Sequence, residues 1–125
     1  MKIHSEISVS EVMLTAKRFP IVGQFTILKE VLEIMNEKKL GIACVIDESN
    51  KLVGILTDGD VRRLLLNNQK PISALFMEDA INIAYKSPTT VKESDTLTTA
   101  VSLMENNSIW DLPVIDENSQ VVGLL

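Results

Sequence analysis

The sequence predicts an α/β (α+β) chain: two β-α-β-β-α repeats packed face to face with pseudo-two-fold symmetry. Three observations carry this. First, "CVIDESNKLVGIL" (44–56) and "PVIDENSQVVGLL" (113–125) align without a gap at an offset of 69 residues. Val45/Val114, Ile46/Ile115, Asp47/Asp116, Glu48/Glu117, Val53/Val122, Gly54/Gly123 and Leu56/Leu125 are identical pairs. Second, Leu28, Val31, Leu32 and Met35 fall at i, i+3, i+4, i+7, the spacing of an amphipathic helix. Leu97, Ala100, Val101 and Met104 repeat that spacing at the same offset. Third, in both copies two apolar runs bracket a four-residue polar turn, the pattern of a β-hairpin. A duplication of this kind sets the architecture before any local detail.

The elements follow in order. A short strand is expected at "FPIV" (19–22) and "TTV" (89–91), then helices over 26–38 and 95–107. β-rich runs at 41–47 and 110–116 lead into the turns "ESNK" (48–51) and "ENSQ" (117–120). Strands at 52–57 and 121–125 close the hairpins, and repeat 1 adds a helix over 58–68. "NNQKP" (67–71) separates the halves, with Pro71 as the breaker. The division is 1–70 for repeat 1 and 71–125 for repeat 2. Repeat 2 reads as C-terminally truncated, because the counterpart of Thr57 would be position 126. "SALFMEDAINIAYKSP" does not reproduce the "VSEVM" of repeat 1, since Asn82 falls where Met13 sits. A drift or insertion is expected there, and paired use of two equivalent sites is not. Each half is too small to bury its faces alone, so the halves must pack on each other.

Composition narrows the function. The 125 residues are 46% hydrophobic, 23% charged and only 4% aromatic, so the core is aliphatic. The net charge of -5 argues against nucleic acid and against an anionic membrane surface, both of which attract clustered Lys and Arg. No apolar run reaches the roughly 18 residues of a membrane span, and "MKIHSEISVSEVM" has no signal-peptide core. With Cys44 as the one cysteine, no internal disulfide forms, which fits a reducing cytoplasm.

"LTDGDVRRLLL" (56–66) holds the chemistry. Thr57 and Asp60 have capping-box spacing, with Asp in place of Glu or Gln, and one reading is a helix start alone. The other uses the same geometry. A helix N-terminus with free N–H groups attracts an anion, a Thr hydroxyl can bind a phosphate oxygen, and a carboxylate one turn in can accept from both ribose hydroxyls. Gly59 keeps the backbone accessible, and Arg62 or Arg63 can pair with a phosphate.

These residues, with "VSEVM" (9–13), "GIACVIDESNKLVGILTDGD" (41–60) and "LPVIDENSQVVGLL" (112–125), resemble a tandem pair of CBS domains, a Bateman module, over essentially the whole chain. In that family Gly-x-x-Thr-x-x-Asp marks an adenosyl-type nucleotide site, which Gly54, Thr57 and Asp60 match. The resemblance implies that Asp60 holds the ribose and that Thr57 lies by the phosphate. By strand position, Pro20, Ile21, Gly41, Ile42 and Ala43 would flank the base. "TDGDVRR" (57–63) further resembles the C-terminal regulatory region of arabinose 5-phosphate isomerases of the KpsF/GutQ family, which feed synthesis of the lipopolysaccharide sugar Kdo. The CBS pair of certain sugar nucleotidyltransferases carries a similar signature. The resemblance implies a regulatory module without catalytic residues, an N-terminal sugar isomerase domain in the parent chain, and a homodimer as its assembly. Its effector would be an adenine nucleotide or a nucleotide-sugar such as CMP-Kdo, with no required cofactor. The alternative is a structural dimerisation module with a vestigial site.

Other residues offer less. His4 has no partner for metal binding or base catalysis. Cys44 reads as a small core residue in an apolar strand. Trp110 could stack on a base or cover the inter-repeat interface. "NEKK" (36–39) reads as a solvated helix end. The acids at 78–79, 93–95 and 116–117 form no paired-carboxylate site.

Overall fold

The computed structural model describes residue 3 and residues 6–125, so His4 lies outside the described residues. Two three-stranded sheets form the framework. In the first, β1 (Ile21–Gly23) runs parallel to β2 (Ile42–Ile46), which pairs antiparallel with β3 (Leu52–Thr57). In the second, β4 (Val91–Lys92), β5 (Pro113–Ile115) and β6 (Val121–Leu124) repeat that order. The register repeats at the sequence offset: Val22↔Val45 answers Val91↔Val114, and Val45↔Gly54 answers Val114↔Gly123. Even the irregularity after Val45 recurs after Val114. The hairpin turns are built alike. Asp47 Oδ1 accepts from the Ser49 and Lys51 N–H groups at 2.8 and 3.0 Å, and Asp116 Oδ1 does the same for Asn118 and Gln120. An Asp that binds the backbone ahead of it is the reason a turn forms here.

The helices take their places from the apolar stripes. α1 (Val9–Val12) is a single turn. α2 (Leu28–Lys38) buries Leu28, Val31 and Met35 against the first sheet and ends with Lys39 in the left-handed region. Its counterpart α6 (Leu97–Asn107) buries Ala100 and ends the same way at Ser108. Burying side chains the size of Leu28 or Val31 is worth about 1.5–3 kcal/mol each. α3 (Asp58–Asn67) leaves the end of β3, and the short helices α4 (Ile72–Phe76) and α5 (Ala80–Ile83) carry the chain to repeat 2. No helix among the described residues is long and apolar enough to cross a membrane.

The segments that lead into each repeat are exchanged. α1 docks on the second sheet, where Val9 N–H donates to Asp95 O and Ser10 N–H to Glu93 O. α5 docks on the first, where Ala80 N–H donates to Thr26 O and Ile81 N–H to Gln24 O. Val9 therefore corresponds to Ala80, 71 residues on rather than 69. Repeat 2 is two residues shorter between its lead-in helix and its first strand, which accounts for the imperfect match of "SALFMEDAINIAYKSP" to "VSEVM". Beyond each helix the crossing continues as backbone pairing. Leu14 bonds Leu124 in both directions (2.7 and 3.0 Å), and Tyr85 bonds Ile55 likewise (2.8 and 3.0 Å). Consequently Ala80 and Ala84 belong to the core around Val22, Leu28 and Leu56, while Val9 belongs to the one around Val91, Leu112 and Val114.

Gly54 makes one crossing possible. A Cβ there would stand 2.9 Å from the Tyr85 carbonyl oxygen and 3.0 Å from the Ala84 Cβ. Gly54→Ala is therefore expected to lower stability by about 1–3 kcal/mol through overpacking. A urea titration checks this as a fall in midpoint at unchanged slope.

Candidate functional site

The end of β3 and the first turn of α3 hold a polar constellation. Thr57 N–H and Thr57 Oγ1 both donate to Asp60 Oδ2 at 2.9 Å, and Asp60 N–H donates back to Thr57 Oγ1 at 3.2 Å. This is a closed capping box. It satisfies helix-start donors that would otherwise lack partners. The other carboxylate oxygen, Asp60 Oδ1, accepts from Arg63 Nη2 at 2.8 Å. The guanidinium folds back over Gly59, where a Cβ would come within 3.2 Å of Nη1. The structural reading of the motif and the ligand reading thus share one geometry. The hydroxyl hydrogen of Thr57 is spent on Asp60, and Arg63 is the cationic group at this end that lines the cleft.

Thr57, Asp60 and Arg63 open onto a cleft of about 350 Å³ between the repeats. Ile55 and Tyr85 form its side, and Pro88, Thr89, Asn107, Ile109 and Asp111 form the wall supplied by repeat 2. The volume and the mix of apolar walls with a few polar groups are those of a small-molecule site.

The residues expected to flank the base lie elsewhere in the structure. Pro20, Ile21, Gly41, Ile42 and Ala43 do not line this cleft. Pro20, Ile42 and Ala43 are buried, Ile21 packs beside Phe19 and Cys44, and Gly41 lies under the start of α3, its carbonyl accepting from Asp58 N–H at 3.0 Å. The cleft takes the equivalent positions from the other repeat: Thr89 corresponds to Pro20 and Asp111 to Ile42. The cause is topological. β3 pairs with Tyr85 of the crossing segment, so the end of β3 faces the second sheet. Applying the offset to Pro20 and Ile42 gives Thr89 and Asp111, while Ile109 is the counterpart of Leu40, which was not among the expected positions. Tyr85 and Asn107 had no signal of their own. The mirror-image position is filled instead of open. Phe19, Ile42 and Leu124 are buried there with Leu14 and Leu40 packed on them, where the cleft has Pro88, Asp111, Ile55, Tyr85 and Ile109.

Trp110 is also corrected. It neither faces the cleft nor covers the inter-repeat interface. It is 90% exposed and lines a separate groove with Val101, Met104 and Ile109. Its counterpart Gly41 lies beneath α3, and the described residues of repeat 2 place no helix over Trp110. Arg62 is exposed and outside the cleft. Cys44 is fully buried. Burial, aided by the nearby Asp111 charge, pushes its thiol up to about 12. Such a thiol holds its proton and is no nucleophile.

Asp111 is held above the usual carboxylate range by partial burial. Among the described residues no donor hydrogen-bonds or ion-pairs its carboxylate. A raised folded pKa on an acid means that the charged form opposes folding. The penalty is fully present above the raised value and vanishes below the unfolded value of about 3.9. Asp111→Asn is expected to raise the melting temperature at pH 7, with the gain shrinking as pH falls toward 4. Thermal melts of both proteins across that window check this.

Comparison with known proteins gives consistent relatives. The CBS domain family matches residues 4–67 and 80–125. Arabinose 5-phosphate isomerase KdsD of Pseudomonas aeruginosa is 34% identical over 119 residues, 95% of this chain and 35% of its own. A probable arabinose 5-phosphate isomerase of Haemophilus influenzae is 33% identical over 108 residues, covering 86% and 31%. The chain thus spans about a third of the length of these relatives. Among solved structures, CBSX2 of Arabidopsis thaliana in complex with AMP superposes with a TM-score of 0.82 at 30% identity, covering 95% of this chain and 89% of that one.

Proposed function

This chain belongs to the CBS domain family as a tandem pair, and from that premise we propose that it is a regulatory module that senses a nucleotide in the cleft between its repeats. The carrying observation is that Thr57, Asp60 and Arg63 of one repeat face Ile109 and Asp111 of the other across about 350 Å³. The AMP complex of CBSX2 supports a nucleotide as the ligand. Asp60 Oδ1 retains a lone pair for the ribose hydroxyls. The Arg63 ion pair is 59% exposed on the arginine side, and such a pair is worth no more than about 1 kcal/mol. A phosphate, with greater charge than one carboxylate, can therefore draw the guanidinium off Asp60. Ligand spanning both walls binds one packing of the repeats better than another and shifts the population by that difference.

The likeness to the isomerases supports a cytoplasmic parent chain with an N-terminal arabinose 5-phosphate isomerase domain, regulated by this non-catalytic pair. In that setting the effector is an adenine nucleotide or, as feedback, CMP-Kdo. The test is a thermal-shift panel of AMP, ADP, ATP, S-adenosylmethionine, CMP and CMP-Kdo. At 100 times its dissociation constant a ligand adds about 2.7 kcal/mol, a rise on the order of 10 °C at this size. Asp60→Ala also removes the cap, which costs about 1 kcal/mol. The readout is therefore the loss of the ligand-induced rise and not the basal melting point. Arg63→Ala is expected to weaken AMP while leaving adenosine unchanged. A flat panel would reject the sensing role.

One observation favours association as a second role. Leu65, Leu66, Ile72 and Met77 are exposed on α3 and on α4 and its end, Leu66 to 77%. Such residues cover an interface more readily than they face water. Sedimentation velocity is expected to give a homodimer that Leu66→Glu converts to monomer. A wild-type monomer at every concentration would remove this role.

A further inference from the structure

Asp111 is the polar group of the cleft that the fold does not explain. Its counterpart in the first sheet, Ile42, is 2% exposed in an apolar cluster with Cys44 and Leu124. Strand alternation sets the facing: Leu112 and Val114 enter the core of repeat 2, so Asp111 between them and Trp110 turns to the inter-repeat side. A carboxylate thus occupies a position the duplicated fold fills with an isoleucine. It lies half-buried beside Cys44, and among the described residues no donor meets it. No buried side-chain oxygen among the described residues lacks a partner, so the Asp111 oxygens keep solvent contact at the cleft wall. An accessible acceptor that no donor of the chain occupies is complementary to a donor brought by the ligand.

We propose that Asp111 selects the base: its carboxylate accepts from an exocyclic amino group, admitting adenine and cytosine and rejecting their keto counterparts hypoxanthine and uracil. This rests on the nucleotide reading of the cleft. Asp60 and Arg63 occupy the repeat 1 wall and leave the repeat 2 wall to the base, with Ile109, Pro88 and Ile55 as apolar sides. A carbonyl oxygen presented to Asp111 places two acceptors together with no hydrogen between them. Sites that hydrogen-bond a ligand group reject the analogue lacking it, because their own polar atom is then unpaired.

Two matched pairs test this, each exchanging amino for keto at one ring carbon, which also places a hydrogen on the adjacent ring nitrogen of the keto partner. Isothermal titration of the whole chain with AMP, IMP, CMP and UMP is expected to give a dissociation constant roughly 10- to 100-fold lower for AMP than for IMP, or for CMP than for UMP. Asp111→Asn, whose amide both donates and accepts, is expected to bind AMP and IMP within a factor of about three of each other. Equal binding of amino and keto partners by the wild type, abolished in Asp60→Ala, overturns the Asp111 assignment while the nucleotide site stands. Amino preference that persists in Asp111→Asn also overturns it. No binding of any of the four overturns the nucleotide reading, and the assignment with it.

Discussion

The structure depends on the exchange of the two lead-in segments. Each sheet has three strands, and a sheet that small has two open edges and one small core. The backbone pairs Leu14–Leu124 and Tyr85–Ile55 continue each hairpin edge with chain from the other repeat, which leaves less unpaired edge. The same crossings carry Ala80, Ala84 and Val9 into cores that would otherwise be incomplete. The hairpin tips add a further link, with Leu52 N–H to Ser119 O at 3.0 Å and Gln120 Nε2 to Ser49 O at 2.8 Å. Neither repeat is a finished folding unit, so relative motion of the two must strain contacts that both need. A ligand between them, as proposed, would act on that coupling directly.

The duplication is nearly symmetric in backbone and asymmetric in use. Registers, turns and left-handed helix ends all recur at the same offset, yet one inter-repeat position is a cleft and its mirror is packed. The difference lies in a few side chains. Phe19 fills space on one side where the smaller Pro88 stands on the other, and Ile42 is replaced by Asp111. Backbone symmetry fixes where a cleft can form, and side-chain volume decides which of the two opens. A polar group is tolerated only on the open side, where solvent or a ligand can reach it.

Much of this was legible in the chain. The hairpins follow from the alignment of 44–56 with 113–125, α2 and α6 from their apolar spacing, and the Thr57–Asp60 cap from three-residue spacing. The flank of the cleft was not legible. Of Pro20, Ile21, Gly41, Ile42 and Ala43, only Pro20 and Ile42 have counterparts, Thr89 and Asp111, that line the cleft. Periodicity tells which side of a strand is covered but not which element covers it, and the crossing that decides this is carried by short helices with little pattern. The shift from 69 to 71 is two residues, yet it hides that "DAINIAY" plays the part of "SVSEVML". Trp110 was misread for a related reason. Its exposure depends on what lies over α6, and the helix that covers the matching positions of repeat 1 has no counterpart among the described residues.

If the cleft holds a nucleotide as proposed, charge decides how it would lie. Asp60 and Asp111 stand on facing walls, with Arg63 as the cation among the lining residues. A phosphate placed near Asp111 would meet a half-buried carboxylate in a region of low polarity, where like charges repel more strongly than in water. Near Arg63 it meets an exposed guanidinium on a helix that begins at that point, with the positive end of its dipole adding to the attraction. The two orientations are therefore unequal. On the proposed reading, phosphate would go toward Arg63, the ribose beside Asp60, and the base to Ile109 and Asp111. The order phosphate, sugar, base along the ligand is matched by cation, acceptor pair, apolar wall with one acceptor across the cleft. That match follows from the cross-repeat pairing of Ile55 with Tyr85, which holds the two walls at one distance.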